Sequence, residues 1–473
     1  MGSKLPHILL VVCDSLGAKH LPMYGYSRNT LPSLEGMLEG ERWAVYRNCF
    51  STAPWTLPSH ASLFTGLYPS EHGADGVKLK LDRISFVEIL REAGYATVGI
   101  SSNHIVHRSF VKGWSDFYEV YGLIPSNIVM ARMEKKFKTN IYKKGKLKSL
   151  AEVVKENIFS HPVETAGLIA NKIFRRWINP VRNSTPLTIK TLKIIDKVKK
   201  SSGDSPLFVF ANIMQTHHNY NPPDEVKGKY SSTRKRIETS EVQNFYGGIW
   251  KEEDLRYISD LYDEEILYLD KILKQLTDIW KDGIIIVMSD HGDLHGEHGC
   301  YAHMFTTYND LVHIPLLVRW PREWEIQGEI TKLCQINDIF ATILEIVDSP
   351  FPTPKSSISL LSQTPRKVAI VQSLDVNHKI TRIKKFLPSF QPNRNMQPMM
   401  SVITQDFWKI TQRMDGSIDI YDLNQDFYEN HSLESPAPDK TELLKALLEH
   451  FKRELHYRPT PLKEEEGEGV FLS

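Results

Sequence analysis

Five short runs of apolar residues recur along this chain, and amphipathic segments lie between most of them. The runs are HILLVV (7–12), YATVGIS (95–101), PLFVFANI (206–213), GIIIVMSD (283–290) and HIPLLVRW (313–320). Each has the length of a strand and little polar interruption, which is typical of parallel sheets covered on both faces. SFVEILREAG and LRYISDLYDEEILYLDKILKQL have the period of the covering helices. The pattern predicts an α/β fold, with a mostly parallel sheet sandwiched by helices.

Polar side chains follow several of these runs where the predicted strand ends. Asp14 follows the first run, Asp290 and His291 end or follow the fourth, and His217 comes shortly after the third. Ligands of open parallel sheets bind at the carboxyl ends of the strands. We therefore expect these four side chains to lie at one edge of the sheet, where they would form a functional site.

The pattern changes near Pro350. A loop, SPFPTPKSSIS, precedes the strand-like runs KVAIVQS, MMSVIT, DFWKITQR and SIDIYDL, and the last two flank the turn at Asp415 and Gly416, as in a β-hairpin. A helix is predicted from Lys440 to Arg453. We predict a catalytic domain over 1–349, a small α+β C-terminal subdomain over 350–460 and a disordered acidic tail over 461–473.

Positive charge is concentrated in one segment. The chain of 473 residues has a net charge of +1, but residues 132–200 hold 18 Lys and Arg against 5 Asp and Glu. That segment is therefore +13 and the rest of the chain −12. Helical patches such as SLAEVVKENIF predict a basic helical insertion at about 107–205. Its charge fits either a solvated helix face or a collar that attracts an anionic substrate or a membrane surface.

The four cysteines, Cys13, Cys49, Cys300 and Cys334, form no CxxC pair, and a chain of this length needs no disulfide framework. The early apolar run Ile8–Cys13 is too short for a signal peptide and is predicted to be a buried first strand. No run reaches the ~20 apolar residues of a transmembrane helix. The sequence therefore predicts reduced thiols, no transmembrane segment and a cytoplasmic location.

The densest polar motif is SDHGDLHGEHG at 289–299, in which carboxylates and imidazoles alternate over eleven positions. Asp290 and His291, side by side at a strand end, could bind one divalent cation. Their oxygen and nitrogen donors suit Zn²⁺ or Mn²⁺ better than the all-oxygen site that Ca²⁺ prefers. A solvated polar turn is the alternative, because a short motif alone is only a hypothesis.

A second motif, PWTLPSHASLFTG at 54–66, places Thr56 shortly before an expected helix. Thr56 is either a nucleophile or a helix N-cap, since Ser and Thr commonly satisfy the free amides of a helix start. Both roles are compatible, because a helix start directs its amides and this hydroxyl towards the same anion.

Taken in order, the motifs resemble the sulfatases and the wider alkaline phosphatase superfamily over most of the chain. The stretches that carry the resemblance are HILLVVCDS, MYGYSRNTLPSL, NCFSTAPWTLPSHASLFTGLYPSEHG, ISFVEILREAGYATVGISSN, THHNYNPP, YDEEILYLD, MSDHGDLHGEHG, VHIPLLVRWP, INDIFATILEI and DFWKITQRMDGSIDIYDLNQDFYENHSL. Residues 107–205 do not match. The resemblance implies an alkaline-phosphatase-like fold and an enzyme that cleaves a phosphoric or sulfuric ester with a divalent metal.

Carried over to this chain, the resemblance implies a metal site. Asp14, Asp290 and His291 would be ligands, and Thr56 would be a fourth ligand at the nucleophile position. One or two ions are expected, Zn²⁺ or Mn²⁺ by preference, with Ca²⁺ or Mg²⁺ as alternatives. A metal-bound hydroxyl is a better nucleophile than a free one, so the implied placement is chemically consistent.

The resemblance also implies roles for three histidines. His217 or His218 is similar to a histidine that grips the substrate in several branches of the superfamily. In phosphoethanolamine transferases, a histidine twelve residues after the Asp-His pair contacts the phosphate or a second zinc, and His303 has that spacing here. For His217 and His218, the alternative is a strand-end histidine bonded to backbone.

The chain departs from the sulfatase pattern at the nucleophile. Sulfatases carry Cys or Ser there, followed by x-Pro-x-Arg, and convert it to formylglycine. This chain has Thr56, which is not a substrate for that conversion, and His60 replaces the arginine. Ser15 stands where sulfatases usually place a second Asp ligand. Threonine at this position is typical of the phosphoryl-transferring branches.

We therefore predict a metal-dependent hydrolase or transferase that cleaves a phosphate mono- or diester. Thr56, His217 and His303 would be catalytic, and His60 and His218 would bind substrate. The expected partner is an anionic ester, such as a glycan or a lipid headgroup, and not a nucleic acid. The alternatives are a sulfatase that acts without formylglycine and a catalytically silent module that binds anionic glycans or lipids.

Overall fold

The computed structural model describes residues 5–40, 43–74, 81–120, 146–158, 160–162, 165, 166, 169, 184–203, 205–231, 251–386, 390–433 and 438–458. Their strands are β1 Ile8–Cys13, β2 Trp43–Phe50, β3 Ala96–Ser101, β4 Asp116–Glu119, β5 Leu207–Ile213, β6 Ile284–Met288, β7 Leu294–His295, β8 Tyr301–Ala302, β9 Leu316–Arg319, β10 Gly328–Gln335, β11 Val368–Ser373, β12 Met399–Thr404, β13 Trp408–Arg413 and β14 Ile418–Asp422. The α-helices are Pro32–Gly40, Thr56–Thr65, Pro69–His72, Phe86–Glu92, Lys146–Asn157, Thr185–Ser201, Glu252–Ile279, Asn309–Val312, Asp338–Ile346, Val376–Phe386 and Pro438–Glu454.

The central sheet has eight strands in the order β10-β2-β9-β6-β1-β5-β3-β4. β1 pairs in parallel with β5 and β6, and β3 pairs in parallel with β4 and β5. β9 is antiparallel to both of its neighbours, β2 and β6. The prediction of a mostly parallel α/β sheet is therefore confirmed, although the predicted run HIPLLVRW supplies the strand that runs in the opposite direction.

β1 shows why the predicted strands are continuous apolar runs. Ile8, Leu10 and Val12 pack into the hydrophobic core on one face of the sheet, and Leu9 and Val11 pack into the core on the other face. All are completely buried. Alternating side chains point to opposite faces of a strand, so a strand with helices on both faces needs an apolar residue at every position.

The second sheet is antiparallel, in the order β11-β12-β13-β14. β13 and β14 form the predicted hairpin, and Gly416 adopts the left-handed conformation, with φ of 86°. The helix Pro438–Glu454 packs on this sheet through Leu444 and Leu448. At the junction with the central sheet, the backbone N–H of Gln372 donates to the carbonyl of Thr52 at 2.9 Å. The C-terminal sheet therefore lies directly beside the segment that leads to Thr56.

The predicted basic insertion is described only in part. Its helices Lys146–Asn157 and Thr185–Ser201 agree with the prediction, but β4 also lies within 107–205 and pairs with β3 in the central sheet. The expectation of an entirely helical insertion over that range is therefore wrong at its start. Residues 121–145, 170–183 and the acidic tail 461–473 lie outside the described residues. Among the helices that are described, none combines the length and the apolar character needed to cross a bilayer.

Candidate active site

Three of the predicted ligands meet at the carboxyl edge of the central sheet. Asp14 follows β1, and Asp290 and His291 follow the adjacent parallel strand β6. One ligand atom from each lies within 4.8 Å of the others, and all three residues are completely buried. The topology explains the meeting, since neighbouring parallel strands end at the same edge of a sheet.

Asp14 is surrounded by hydrogen-bond donors. Its Oδ2 accepts from Asn103 Nδ2 at 2.8 Å and from Asn212 Nδ2 at 3.2 Å, and its Oδ1 accepts from Ser15 Oγ at 3.3 Å. Burial alone would raise the pKa of Asp14, but nearby imidazoles and the amide of Asn103 lower it to about 2. Asp14 is therefore a carboxylate at neutral pH.

One carboxylate oxygen of Asp290 accepts hydrogen bonds, and the other accepts none. Its Oδ1 accepts from the backbone N–H of Ser15 at 3.2 Å and of His291 at 3.0 Å, whereas its Oδ2 is buried without a hydrogen-bond partner. Burial and the neighbouring charge of Asp14 raise the pKa of Asp290. A buried carboxylate oxygen without a donor is costly, and two adjacent carboxylates repel each other. These residues therefore fit a divalent cation, which would satisfy both.

Thr56 is the first residue of the helix Thr56–Thr65, and Trp55 is the N-cap. The N-cap alternative for Thr56 is therefore wrong. Its Oγ1 lies 3.2 Å from Nε2 of His291, while Nδ1 of His291 lies 2.8 Å from the carbonyl of Gly292. The carbonyl can only accept, so Nδ1 carries the hydrogen and Nε2 presents a lone pair towards Thr56. The structure thus brings the predicted nucleophile to the predicted ligands.

His60 is completely buried beneath this site. Its Nδ1 lies 3.0 Å from the carbonyl of Thr56 and 3.4 Å from Oδ2 of Asp290, and its Nε2 lies 3.4 Å from Nδ2 of Asn212. Both ring nitrogens therefore face protein atoms. This differs from the predicted contact with substrate. A ring in this position is suited instead to holding Thr56 and Asp290 in place.

The remaining predicted histidines form a second cluster beside the first. The ring of His303 lies 5.2 Å from that of His217, 5.0 Å from that of His218 and 4.4 Å from that of His291, measured between centroids. One ligand atom from each of His217, His218 and His303 lies within 4.8 Å of the others. Nδ1 of His217 contacts the carbonyl of His218, so the predicted backbone contact is present for that residue.

Burial keeps two of these imidazoles, those of His217 and His303, neutral. It lowers the pKa of His217 to about 4, with a further contribution from His218. Burial and the nearby His291 hold the pKa of His303 well below its usual range. At neutral pH both rings are uncharged, which is the form that binds a metal ion or accepts a hydrogen bond.

Three further residues of the site were not predicted from the sequence. Asn103 follows β3 and Asn212 lies near the end of β5, and both donate to Asp14. Their positions at strand ends were a usable signal, but an amide is less conspicuous than a carboxylate. Asp293 lies within the motif at 289–299, where only Asp290 and His291 were singled out, and it contacts two of the clustered histidines.

Comparison with known proteins identifies the family. A protein-family model described as Sulfatase matches residues 6–349. The chain belongs to the Sulfatase family. Its members are sulfatases, which hydrolyse sulfuric esters, so the prediction of an ester-cleaving enzyme is confirmed. A bound divalent metal is typical of the family, and the cluster of Asp14, Asp290 and His291 could hold one.

The sequence relatives of this sulfatase-family chain are distant but long. Arylsulfatase K of Rattus norvegicus is 23% identical over 460 residues, which cover 93% of this chain and 76% of the relative. N-acetylgalactosamine-6-O-sulfatase of Bacteroides thetaiotaomicron is 22% identical over 520 residues and covers 95% and 94%. The predicted resemblance to sulfatases is thereby confirmed.

Solved structures confirm the fold class. BT4656, solved in complex with its substrate D-glucosamine-2-N,6-O-disulfate, superposes with a TM-score of 0.64 at 15% identity and covers 96% of this chain and 98% of its own. The phosphonate monoester hydrolase of Agrobacterium radiobacter gives a TM-score of 0.62 at 15% identity, with 95% of both chains covered. At this level of identity the likeness concerns the fold alone.

Proposed function

We propose that this member of the Sulfatase family cleaves a phosphate mono- or diester with Thr56 as the nucleophile. The observation that carries the proposal is the position of Thr56 Oγ1, 3.2 Å from Nε2 of His291 and at the start of a helix. Threonine cannot give the formylglycine on which sulfatases of this family depend. The same position therefore has to act through an unmodified hydroxyl.

The metal site belongs to the same proposal. A divalent cation held by Asp14, Asp290 and His291 would supply a Lewis acid that lowers the pKa of the Thr56 hydroxyl and offsets the charge of an anionic ester. The mixture of carboxylate and imidazole donors favours Zn²⁺ or Mn²⁺ over Ca²⁺ or Mg²⁺. The cluster of His217, His218 and His303 would bind the phosphoryl oxygens or a second ion.

The residues of the chain would divide the work as follows. The Thr56 hydroxyl gives up its proton and attacks phosphorus, forming a new O–P bond while the bond to the leaving group breaks. The products are a phosphothreonine and the leaving group as a free alcohol, which takes up that proton. The amides at the start of the helix Thr56–Thr65 direct partial positive charge towards the phosphoryl oxygens. His217 and His303 would face the same oxygens through a second cation, because a neutral ring binds a cation with its free nitrogen. A positive charge preorganised there would stabilise the charge that develops in the transition state. Water or an acceptor alcohol then resolves the phosphothreonine.

A comparison of three substrates tests the proposed ester. The purified chain would be supplied with Zn²⁺ or Mn²⁺ and assayed on p-nitrophenyl phosphate, on bis-p-nitrophenyl phosphate and on p-nitrophenyl sulfate. We expect kcat/KM to be highest for one of the two phosphate esters. A higher kcat/KM for the sulfate would overturn the choice of phosphate.

A sulfatase without formylglycine is the second candidate. It is favoured by the sequence relatives, whose names are those of sulfatases. Sulfate and phosphate monoesters share tetrahedral geometry, so the side chains around Thr56 fit both. The two candidates differ in the intermediate, since only the first leaves a phosphoryl group on Thr56.

A further inference from the structure

Asp293 is a buried carboxylate that none of the proposed steps uses. Its Oδ1 lies 3.1 Å from Nδ1 of His303, and its Oδ2 lies 3.5 Å from Nδ1 of His218. The hydroxyl of Tyr220 donates to the same Oδ2. Only 5% of Asp293 is exposed. The carboxylate is thus within hydrogen-bond distance of one histidine of the second cluster, His303, and lies near a second, His218, and a tyrosine fixes its orientation.

The backbone around His303 is strained in a way that also points to function. Ala302 and Met304, on either side of it, have φ of 57° and 109°, which is unfavourable for residues other than glycine. Strain of this kind persists where surrounding contacts hold it, and it concentrates at functional sites. Here the backbone N–H of Met304 donates to the carbonyl of Pro54, two residues before Thr56, at 3.1 Å. The backbone of His303 is thereby held beside the nucleophile segment.

These two constraints act on different parts of His303. The strained backbone fixes the position of the main chain at His303, while the carboxylate of Asp293 fixes the orientation of the imidazole ring. A carboxylate accepts hydrogen bonds and does not donate them, so an imidazole nitrogen facing it carries the hydrogen. In a neutral imidazole the other nitrogen then presents a lone pair. The ring of His303 already lies 4.4 Å from that of His291, between centroids.

We propose that Asp293 is a positioning residue that holds His303 in the tautomer with hydrogen on Nδ1. Nε2 is then the nitrogen that this ring offers to a cation bound beside the reacting ester. This arrangement is common for histidines that bind metals, in which a carboxylate orients the ring and fixes its tautomer. The catalytic consequence rests on the proposed function, whereas the tautomer does not.

The hydroxyl of Tyr220 helps to orient the carboxylate of Asp293. It donates to Oδ2 of Asp293 and lies 3.0 Å from Nε2 of His295. Because its hydrogen is used towards Asp293, the hydroxyl oxygen accepts from His295. Tyr220→Phe would remove one donor to the carboxylate and leave its contact with His303, so it should change the tautomer of His303 little.

The direct test is the tautomer itself. Nitrogen-15 NMR of the full chain labelled in histidine would be recorded at about pH 8.5, above the ordinary pKa of imidazole. The signals of His303 would be assigned by their loss in His303→Gln. We expect hydrogen on Nδ1 and a bare Nε2 in this ring. Hydrogen on Nε2 with a bare Nδ1 in His303 would overturn the proposal.

Asp293→Asn adds a functional readout. The amide keeps only one acceptor and removes the negative charge that favours hydrogen on Nδ1, so the share of this tautomer in His303 should fall. We expect kcat to fall about 10- to 100-fold, the usual effect of removing such a partner, while the metal content at Asp14, Asp290 and His291 is unchanged. Retention of the Nδ1 tautomer of His303 together with full kcat would overturn the proposal.

Asp310→Asn is the matched control. Asp310 is also a buried carboxylate beside an imidazole, with its Oδ2 at 3.2 Å from Nε2 of His298, but it contacts neither His218 nor His303 in the described interactions. It should leave the tautomer of His303 unchanged. If the chain cleaved no phosphate ester at all, the proposed function would fail, and the NMR measurement would still decide the role of Asp293.

Discussion

Thr56 and Thr65 begin and end the same helix. Comparing their alanine variants separates the catalytic effect of losing a threonine hydroxyl from its effect on packing. Both are nearly fully buried, but Thr56 faces His291 whereas Thr65 donates to the carbonyl of Ala61. Thr56→Ala should lower kcat at least ~10³-fold and change KM less than about tenfold, because the lost oxygen matters only in the transition state. Thr65→Ala, the control, should lose stability and keep its turnover per folded molecule. Steady-state kinetics with both variants would check this, and an active Thr56→Ala would contradict the assignment.

Asp290 is the ligand whose loss should be clearest. Asp290→Ala removes the carboxylate oxygen that lacks a hydrogen-bond donor, so the variant should bind no cation at this site and lose activity. Its Tm without metal should fall only modestly, since repulsion with Asp14 is removed as well. The rise in Tm that metal gives the wild type should disappear, because only the native state binds the ion. Metal retained together with full activity would refute the assignment.

At the residue scale, the sequence predicted the candidate metal ligands and the nucleophile better than the residues that hold them in place. Asp14, Asp290, His291 and Thr56 were identified because each lies at a strand end or helix start, and the structure brings them together. The orientation of His60 could not be predicted, since no sequence pattern shows which atoms a buried imidazole faces. Its environment depends on packing between a helix and the sheet.

At the scale of elements, the loop that carries His217 and His218 is held at both ends by one buried carboxyl. Glu265, on the helix Glu252–Ile279, accepts from Gln215 Nε2 at 2.5 Å and from the backbone N–H of Asn221 at 2.6 Å. Burial raises the pKa of Glu265 from 4.5 to about 8, in spite of these hydrogen bonds. Between about pH 5 and 8, Glu265 is therefore protonated in the folded chain and ionised in the unfolded chain.

That difference predicts how stability depends on pH. Since the pKa is higher in the folded state, the contribution of Glu265 is fully present below its ordinary pKa of 4.5 and is lost as the pH rises towards about 8. Glu265→Gln, which stays neutral, should flatten the decline in the free energy of unfolding between about pH 5 and 8. Urea denaturation of both proteins across this range would show it. Equal slopes would mean that Glu265 is not protonated in the native state.

Whether a strand could be predicted from the sequence depended on how its residues are buried. Strands with both faces covered, such as β1 and β5, read as continuous apolar runs and were predicted. β2, β4 and β10 were missed because their composition is mixed: β4 has one exposed and three half-buried residues, and β10 is buried only at its C-terminal end. Position at the margin of the sheet, which a single sequence does not reveal, accounts for β4 and β10.

At the scale of the whole molecule, charge is divided between the basic segment at 132–200 and the rest of the chain. If that segment borders the active site, it should attract anionic substrates, and the attraction should weaken as the Debye length falls from ~10 Å at 0.1 M salt to ~3 Å at 1 M. Activity on a polyanionic or lipid-headgroup ester should then fall with salt more than activity on a small aryl phosphate.

Charge neutralisation would test this steering. Lys135, Lys136, Arg175 and Arg176 lie outside the described residues, so the prediction rests on their charge alone. Replacing the four together by Gln should remove the difference in salt dependence and leave the rate on the small substrate unchanged. Equal salt dependence of both substrates, before and after replacement, would mean that the segment is a solvated helical surface.

The central claim is that an unmodified Thr56 carries the reacting group. The most direct measurement is the mass of the peptide that contains Thr56, after the chain with its metal has been mixed with a phosphate ester and quenched in acid within the first turnovers. We predict an addition of one phosphoryl group, located on Thr56 by fragmentation and absent from Thr56→Ala. A Thr56 peptide of unchanged mass, quenched while product is being released in a burst, would contradict the account.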